Sequence, residues 1–108
     1  MDMVKRFDIW HVELNPAVGS EINKLRPCLV VSPDEANRHL NMVTIVPLTS
    51  TIKPYPTKVD CVFLGKKGQL AVDQIRSVDK SRLVKKLGEL DEETSERICA
   101  ALCVTFKY

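Results

Sequence analysis

Met42-Val43-Thr44-Ile45-Val46-Pro47-Leu48 is a nearly continuous apolar run, and Cys28-Leu29-Val30-Val31 is a second one. Runs of this kind are expected for the central strands of a sheet, which are buried on both faces. Four further β-prone runs flank these two, at Phe7–Leu14, Thr57–Leu64, Gln69–Ile75 and Leu83–Leu87. About six short strands at this spacing predict a mainly β protein, either a small barrel or a sandwich.

Turn and capping residues separate these strands. Gly65-Lys66-Lys67-Gly68 predicts a hairpin loop, because glycine supplies the positive φ angles that such loops need. The Ser77–Arg82 stretch is interpreted as another connection. Ser32-Pro33-Asp34-Glu35 has the pattern of a capping box, with Ser32 as the N-cap and proline at the first helical position. It predicts a short helix that ends near residues 39–41.

A longer helix is predicted at the C-terminal end of the chain. Asp91 is its expected N-cap, and the two glutamates that follow complement the positive end of the helix dipole. Four residues then fall on one face at helical spacing: Ile98, Ala101, Leu102 and Thr105. We expect this stripe to close the bottom of the barrel. Added to strands that are apolar on both faces, the helix offers more apolar surface than one small barrel can bury, which predicts a homodimer.

Length and composition limit the class of protein. The chain has 108 residues, of which 44% are apolar and 28% charged, so we expect one globular domain over residues 1–108. No apolar run approaches the ~18 residues that a membrane span needs, and the first residues lack the apolar stretch of a signal peptide. A cytoplasmic location is therefore expected, with the four cysteines reduced.

Charge is distributed unevenly, although the net charge is only +2. Residues 53–88 carry nine Lys/Arg and three Asp, whereas residues 89–108 carry two Lys/Arg and five Asp/Glu. This asymmetry predicts a basic surface that faces a polyanion, and a separate solvated helix. The alternative is that the lysines only keep loops and strand edges soluble, as Lys66, Lys67, Lys85 and Lys86 would.

Several function classes lose support because their motifs are missing. The sequence has no phosphate-binding loop, no dinucleotide-binding glycine pattern, no Gly-x-Ser-x-Gly and no His-Glu-x-x-His. It also lacks the paired ligands of a zinc site, since Cys99 and Cys103 are one helical turn apart but Cys28 and Cys61 lie in apolar strands. We interpret all four cysteines as small buried side chains, and expect no metal or cofactor.

Three predicted strand ends carry polar residues that can bind an anion. Arg26 lies where a polar loop meets a strand, and Pro27 favours an extended backbone at that position. Thr49 and Ser50 end a second strand, and Asp73-Gln74-Ile75-Arg76 ends a third. Such a set of side chains could bind a phosphate and transfer a proton. Ordinary caps and surface ion pairs are the alternative interpretation.

Seven short motifs follow one another between residue 7 and about residue 84: Phe7-Asp8-Ile9-Trp10, Asn15-Pro16, Gly19-Ser20-Glu21, Arg26–Pro33, Val46–Ser50, Tyr55-Pro56 and Ala71–Ser77. In order and spacing, this set resembles the MazF/PemK toxins of bacterial type II toxin–antitoxin systems. No single motif is specific, but the ordered set is. The resemblance implies an SH3-like barrel with a short internal helix and a C-terminal helix.

The resemblance also implies a function. Members of this family cut single-stranded mRNA at short sequences without a metal ion, usually as homodimers, and so inhibit translation and growth. A cognate antitoxin with an acidic disordered segment is the expected partner. Matching positions make Arg26, Thr49 and Glu21 catalytic. The implied substrate-binding residues are Ser20, Lys24, Ser50, Tyr55, Asp73, Gln74 and Arg76.

These residues suffice for RNA cleavage, because RNA brings its own nucleophile, the 2′-hydroxyl. Arg26 suits transition-state stabilisation, since its planar fork binds two phosphate oxygens at once. Thr49 would donate a hydrogen bond to a phosphate oxygen. Either Glu21 or Asp73 would act as the general base.

The chain departs from the family pattern in its first loop and before Asp73. Lys24 replaces a loop glycine, while Ser20 and Ala71 stand where PemK-like members have a histidine and an arginine. A mechanism through those two groups therefore does not transfer. Two other functions stay open: a non-catalytic toxin on the same barrel, like the CcdB gyrase inhibitors, or a barrel that binds RNA or protein without cleavage. An RNase assay separates these possibilities.

Overall fold

Strands dominate the computed structural model, which describes residues 3–14, 25–55 and 58–107. The described strands are β1 (Asp8–Glu13), β2 (Leu25–Val30), β3 (Met42–Thr49), β4 (Lys58–Phe63), β5 (Lys66–Ala71), β6 (Arg76–Asp79) and β7 (Leu83–Glu89). Two α-helices accompany them, α1 (Asp34–His39) and α2 (Glu92–Thr105), with 3₁₀ turns at Val72–Gln74 and Lys80–Arg82. The prediction of a mainly β chain with a short internal helix and a C-terminal helix is confirmed.

The strands form one antiparallel sheet in the order β4-β5-β3-β2-β1-β7. β3 joins its two halves, because residues 42–45 pair with β6 while Leu48 and Thr49 pair with β5. This exchange of partners curls the sheet into a half-barrel, and α2 packs across β4 and the 3₁₀ turn before β6. No helix among the described residues is long and apolar enough to cross a membrane.

The central strands are buried on both faces, as their apolar runs predict. Side chains of alternating parity enter two separate clusters: Cys28 and Val30 face one, whereas Leu29 faces the other. The first cluster includes Trp10, Val12, Val43, Ile45 and Val78, and the second includes Ile9, Val46, Leu70, Val72 and Ile98. One chain covers both faces of these strands. Their apolar character on both faces therefore does not by itself require a second copy of the chain to bury them.

The hairpin between β4 and β5 is tighter than its sequence predicts. Phe63 pairs with Lys66, so only Leu64 and Gly65 form the turn, and both have positive φ angles, of 52° and 77°. That backbone is the type I′ turn, whose twist matches that of the flanking strands. Gly68 already lies within β5.

Several local predictions were wrong in detail. Arg76–Asp79 form β6, although Ser77–Arg82 was interpreted as a connection, and the strand predicted over Gln69–Ile75 ends at Ala71, before a 3₁₀ turn. The N-cap of α1 is Pro33, and the Ser32 hydroxyl instead donates to Asn37 Oδ1 and accepts the Thr44 backbone N–H. Ser32 thus joins the helix to β3 and does not cap it. Thr105 is exposed, and its hydroxyl donates to the Ala101 carbonyl.

The other helix predictions are confirmed. Asp91 caps α2, where its carboxylate accepts hydrogen bonds from the Thr94 N–H and hydroxyl. Ile98 is fully buried, and Ala101 and Leu102 pack against the same cluster.

The cysteines do not all behave as buried side chains. Cys28 and Cys61 are buried, and burial raises the pKa of their thiols to about 12 and about 11. Cys99 is half-buried and Cys103 is exposed on α2, which corrects the interpretation of all four as core residues.

Candidate active site

A cavity of about 710 Å³ opens at one end of the sheet, where the first apolar cluster meets solvent. Six of the predicted site residues line it: Arg26, Thr49, Tyr55, Asp73, Gln74 and Arg76. The remaining lining residues are Leu14, Pro47, Thr51, Lys53 and Lys58. Among the described lining residues, four cationic side chains therefore face one carboxylate. Such an imbalance favours a polyanion as the ligand.

Strand register brings Arg26 and Thr49 together. Cys28 of β2 pairs with Pro47 of β3, and the two strands are antiparallel. Arg26 lies two residues before Cys28, and Thr49 lies two residues after Pro47. The two side chains are therefore opposite each other on the same face of the sheet. β6 pairs with the opposite edge of β3 from β2. There Ile45 pairs with Arg76, whose side chain lies on the same face of the sheet as Arg26 and Thr49. Arg26 therefore lies beside Thr49, and Arg76 lines the same cavity four residues further along β3.

Each of these side chains is available to a ligand. Among the residues that the structure describes, neither Arg26 nor Arg76 forms an ion pair. The Thr49 hydroxyl oxygen accepts a hydrogen bond of 3.1 Å from the Thr51 backbone N–H. That contact fixes the oxygen and leaves the hydroxyl hydrogen to be donated to a bound anion.

An ion pair forms one wall of the cavity. Lys58 Nζ lies 2.9 Å from Asp73 Oδ1, and only 7% of the Lys58 side chain is exposed. The hydrogen bond from Lys58 holds the pKa of the Asp73 carboxyl below its ordinary value. A carboxylate with a lowered pKa is a weaker proton acceptor, so the geometry disfavours Asp73 as a general base. Glu21, the other candidate, lies outside the described residues.

Comparison of the chain with known protein families identifies the family to which it belongs. The family described as PemK-like, MazF-like toxins of type II toxin–antitoxin systems matches residues 5–106. The chain belongs to this family. The match covers every strand, both helices and all lining residues of the cavity, and it confirms the resemblance found in the motifs.

Curated relatives and solved structures agree with that placement. The chain is 32% identical over 109 residues to the endoribonuclease EndoA of Bacillus subtilis, covering 95% of this chain and 94% of the relative. It is 37% identical over 117 residues to the endoribonuclease MazF9 of Mycobacterium tuberculosis, covering 93% of each. MazF from Deinococcus radiodurans superimposes with a TM-score of 0.82 at 26% identity over the full length of both chains. The MazE–MazF complex from that organism gives 0.84 at 27% identity, over 97% of this chain and 96% of that one.

Not every predicted residue of this MazF-like chain lies in the cavity. Ser50 instead lines a neighbouring cavity of about 300 Å³, and Thr49 lines both cavities. Its walls are mostly apolar, with Lys66 and Lys67 at the edge. Ser20 and Lys24 lie outside the described residues, as Glu21 does.

Sequence reasoning missed the lysines that complete the site. Lys53 and Lys58 belong to the basic middle of the chain, which was the one available signal, but no motif connected them to Arg26. The contact between Lys58 and Asp73 joins residues fifteen positions apart, and only the pairing of Lys58 with Ala71 places them together.

Gly68 should be essential for the position of Thr49. A Cβ atom on Gly68 would lie 2.8 Å from the Thr49 carbonyl oxygen, closer than real Cβ contacts come. We expect Gly68→Ala to force β5 away from β3, at a cost of about 1–3 kcal/mol, and to lower cleavage of RNA by the MazF-like site. Thermal unfolding and a cleavage assay measure the two effects.

Gly65→Asn is the matched control for Gly68→Ala. No atom of the residues that the structure describes lies within 4 Å of a Cβ at this position, and asparagine tolerates the positive φ of 77°. The control should keep its rate. A Gly68→Ala protein as fast as the wild type would show that Thr49 does not depend on this close contact.

Acidic residues collect at the opposite end of β1. A cavity of about 690 Å³ there is lined by Asp8, Asp34, Glu89, Glu92 and Glu96, with Lys5 and Arg6. Asp8 begins β1 whereas Leu14 of the basic cavity directly follows it, so the two regions lie about 20 Å apart. Three of these acidic residues come from residues 89–108 and three of the four cationic residues of the basic cavity from residues 53–88, so part of the charge asymmetry of the sequence becomes a separation in space.

Proposed function

We propose that the chain is a sequence-selective, metal-independent endoribonuclease that cuts single-stranded RNA by attack of the 2′-hydroxyl, acting as a growth-inhibiting toxin. The placement of Arg26 beside Thr49 in a cavity with four cationic side chains carries this proposal. The names of the relatives support it, since EndoA and MazF9 are both endoribonucleases. We place the activity in a single domain and in the cytosol, where mRNA is the substrate and the toxin inhibits translation.

The cavity supplies what phosphoryl transfer from RNA needs. Arg26 binds two oxygens of the scissile phosphate and stabilises the charge that develops on them. Thr49 donates its hydroxyl hydrogen to one of the same oxygens. Lys53 and Arg76 bind flanking phosphates, and the exposed Tyr55 ring offers a surface on which a base can stack. Glu21 takes the proton of the 2′-hydroxyl in this scheme.

Cleavage of RNA by the purified chain in EDTA tests this function. We expect a single-stranded RNA of defined sequence to be cut at a few discrete positions, because the protein's own side chains bind the phosphate. RNA that is bound but stays intact would instead identify a barrel that binds RNA without cleavage, and a chain that does not cut RNA at all would leave the CcdB-like inhibitor as the alternative. A requirement for added divalent cation would contradict a metal-independent mechanism.

We further propose that the chain is a homodimer. Exposed apolar side chains at the end of α2 support this, since Val104 is 74% and Phe106 is 64% exposed. Surface of this kind is unfavourable in water and is commonly covered by a partner. Sedimentation equilibrium at micromolar concentration should give twice the 12.2 kDa chain mass. A species of 12.2 kDa would contradict the dimer.

The partner that we propose is an antitoxin with an acidic, disordered segment. A mycobacterial endoribonuclease with 28% identity to this chain has been solved with its cognate antitoxin. Carboxylates of such a segment can occupy the basic cavity in place of phosphates and become ordered there. Bound antitoxin should therefore compete with RNA. An unchanged RNA affinity in its presence would contradict this model of inhibition.

A further inference from the structure

Gln69 holds the segment between β3 and β4 by both ends of its amide. Its Oε1 accepts the Lys53 backbone N–H at 2.8 Å, and its Nε2 donates to the Lys53 carbonyl at 2.9 Å. The second Nε2 hydrogen goes to Asp60 Oδ1 at 2.7 Å. The side chain is 4% exposed, so every polar group of this amide is paired away from water.

Neighbouring strands fix the orientation of this amide. Gln69 of β5 pairs with Thr49 of β3 on one side and with Asp60 of β4 on the other, so the three residues form one row across the sheet. Asp60 in turn is held by α2, because Arg97 donates to its backbone carbonyl at 2.9 Å. A carboxylate at Asp60 only accepts hydrogen bonds, which orients the Gln69 nitrogen towards it.

We propose that Gln69 is a positioning residue for substrate binding, which holds residues 51–55 against the basic cavity. Three side chains of that segment, Thr51, Lys53 and Tyr55, line the cavity. Its far end is fixed by the hydrogen bond from the Lys58 N–H to the Tyr55 carbonyl. Without Gln69, the middle of the segment loses its two backbone partners. The inference rests on the proposed function, since it concerns the affinity of that site for RNA.

We expect Gln69 to affect the binding of RNA more than the rate of the chemical step. Arg26 and Thr49 lie on strands, and the segment contacts only the Thr49 hydroxyl, through its first residue, Thr51. Lys53 and Tyr55 lie on the segment itself, and ordering it at the moment of binding costs conformational entropy. Release of the segment should therefore raise KM and leave kcat nearly unchanged.

Three variants test the amide. Gln69→Leu removes all three hydrogen bonds at similar volume, and we expect KM to rise roughly tenfold with kcat within about twofold of the wild type. Gln69→Glu keeps the acceptor for the Lys53 N–H but opposes the Asp60 carboxylate. Adding Asp60→Asn restores a donor between positions 60 and 69 and returns the net charge to that of the wild type. We expect this double variant to recover part of the lost affinity.

Asn37→Leu is the matched control for lost stability. Its side chain is 2% exposed and its amide donates to the Ser32 carbonyl, at the other end of β3 from Thr49. We expect Asn37→Leu to lower the melting temperature without raising KM. Equal KM values for Gln69→Leu and the wild type would overturn the inference. So would a KM increase in Asn37→Leu as large as that in Gln69→Leu.

A second measurement does not depend on RNA. Amide hydrogen exchange should show the Lys53 N–H protected in the wild type and exposed in Gln69→Leu. Equal protection of the Lys53 N–H in both proteins would overturn the inference that Gln69 holds this segment. Absence of Arg26-dependent cleavage by the wild type would instead contradict the proposed function, so the two failures are distinguishable.

Discussion

Arg26→Ala should lower the rate of RNA cleavage by about 10²–10³-fold while the protein stays folded. Arg26 lies at the exposed end of β2, so truncation removes a phosphate contact and opens no cavity in the core. Arg26→Lys should recover little of the rate, because an ammonium group cannot reproduce the two parallel hydrogen bonds of the guanidinium fork.

Single-turnover cleavage and thermal unfolding of the same preparations measure this prediction. Arg38→Ala is the matched control, because it removes an exposed guanidinium from α1, away from the cavity. We expect this control to cut at the wild-type rate. A lysine variant as active as the wild type would mean that only the charge at position 26 matters. A fully active alanine variant would remove Arg26 from the mechanism.

A single 2′-deoxy nucleotide placed 5′ to the scissile bond should stop cleavage altogether. The substitution removes the attacking oxygen and keeps every phosphate. Phosphate contacts dominate the affinity for single strands, so the modified RNA should bind almost as well as the normal one. Here the loss is larger than for any protein variant, because no other nucleophile replaces the missing hydroxyl.

Products and binding are measured separately. Normal RNA should give a 2′,3′-cyclic phosphate, or its hydrolysed form, together with a 5′-hydroxyl. A deoxy nucleotide one position further away is the control, and it should leave cleavage intact. Products that end in a 3′-hydroxyl and a 5′-phosphate would indicate attack by water and exclude this mechanism.

The fold was predictable where local patterns are strong. Continuous apolar runs located β2 and β3, and Asp91 located the start of α2. β6 was missed because its four residues contain one buried apolar side chain, Val78, and gain their stability from pairing with β3. A pattern of period two cannot be recognised in so short a segment.

The site was predictable only in part. Arg26, Thr49 and Asp73 follow from motif resemblance, and strand register brings them into one cavity. Lys58 and Gln69 carry no motif, and their roles depend on partners that are distant in the sequence. The tertiary fold determines long-range pairings of this kind, so no local sequence pattern predicts them.

The distance between the basic cavity and the acidic residues at the other end of β1 affects how RNA and protein meet. With a net charge of +2, the molecule attracts a polyanion weakly as a whole, so the separation of the basic cavity from the acidic residues, two of which pair with Lys86, decides which surface attracts it. We expect an approaching RNA strand to be attracted to the basic cavity and repelled by the acidic residues. Productive encounters should then be more frequent than random collisions allow, and the association rate constant should fall as salt screens these charges.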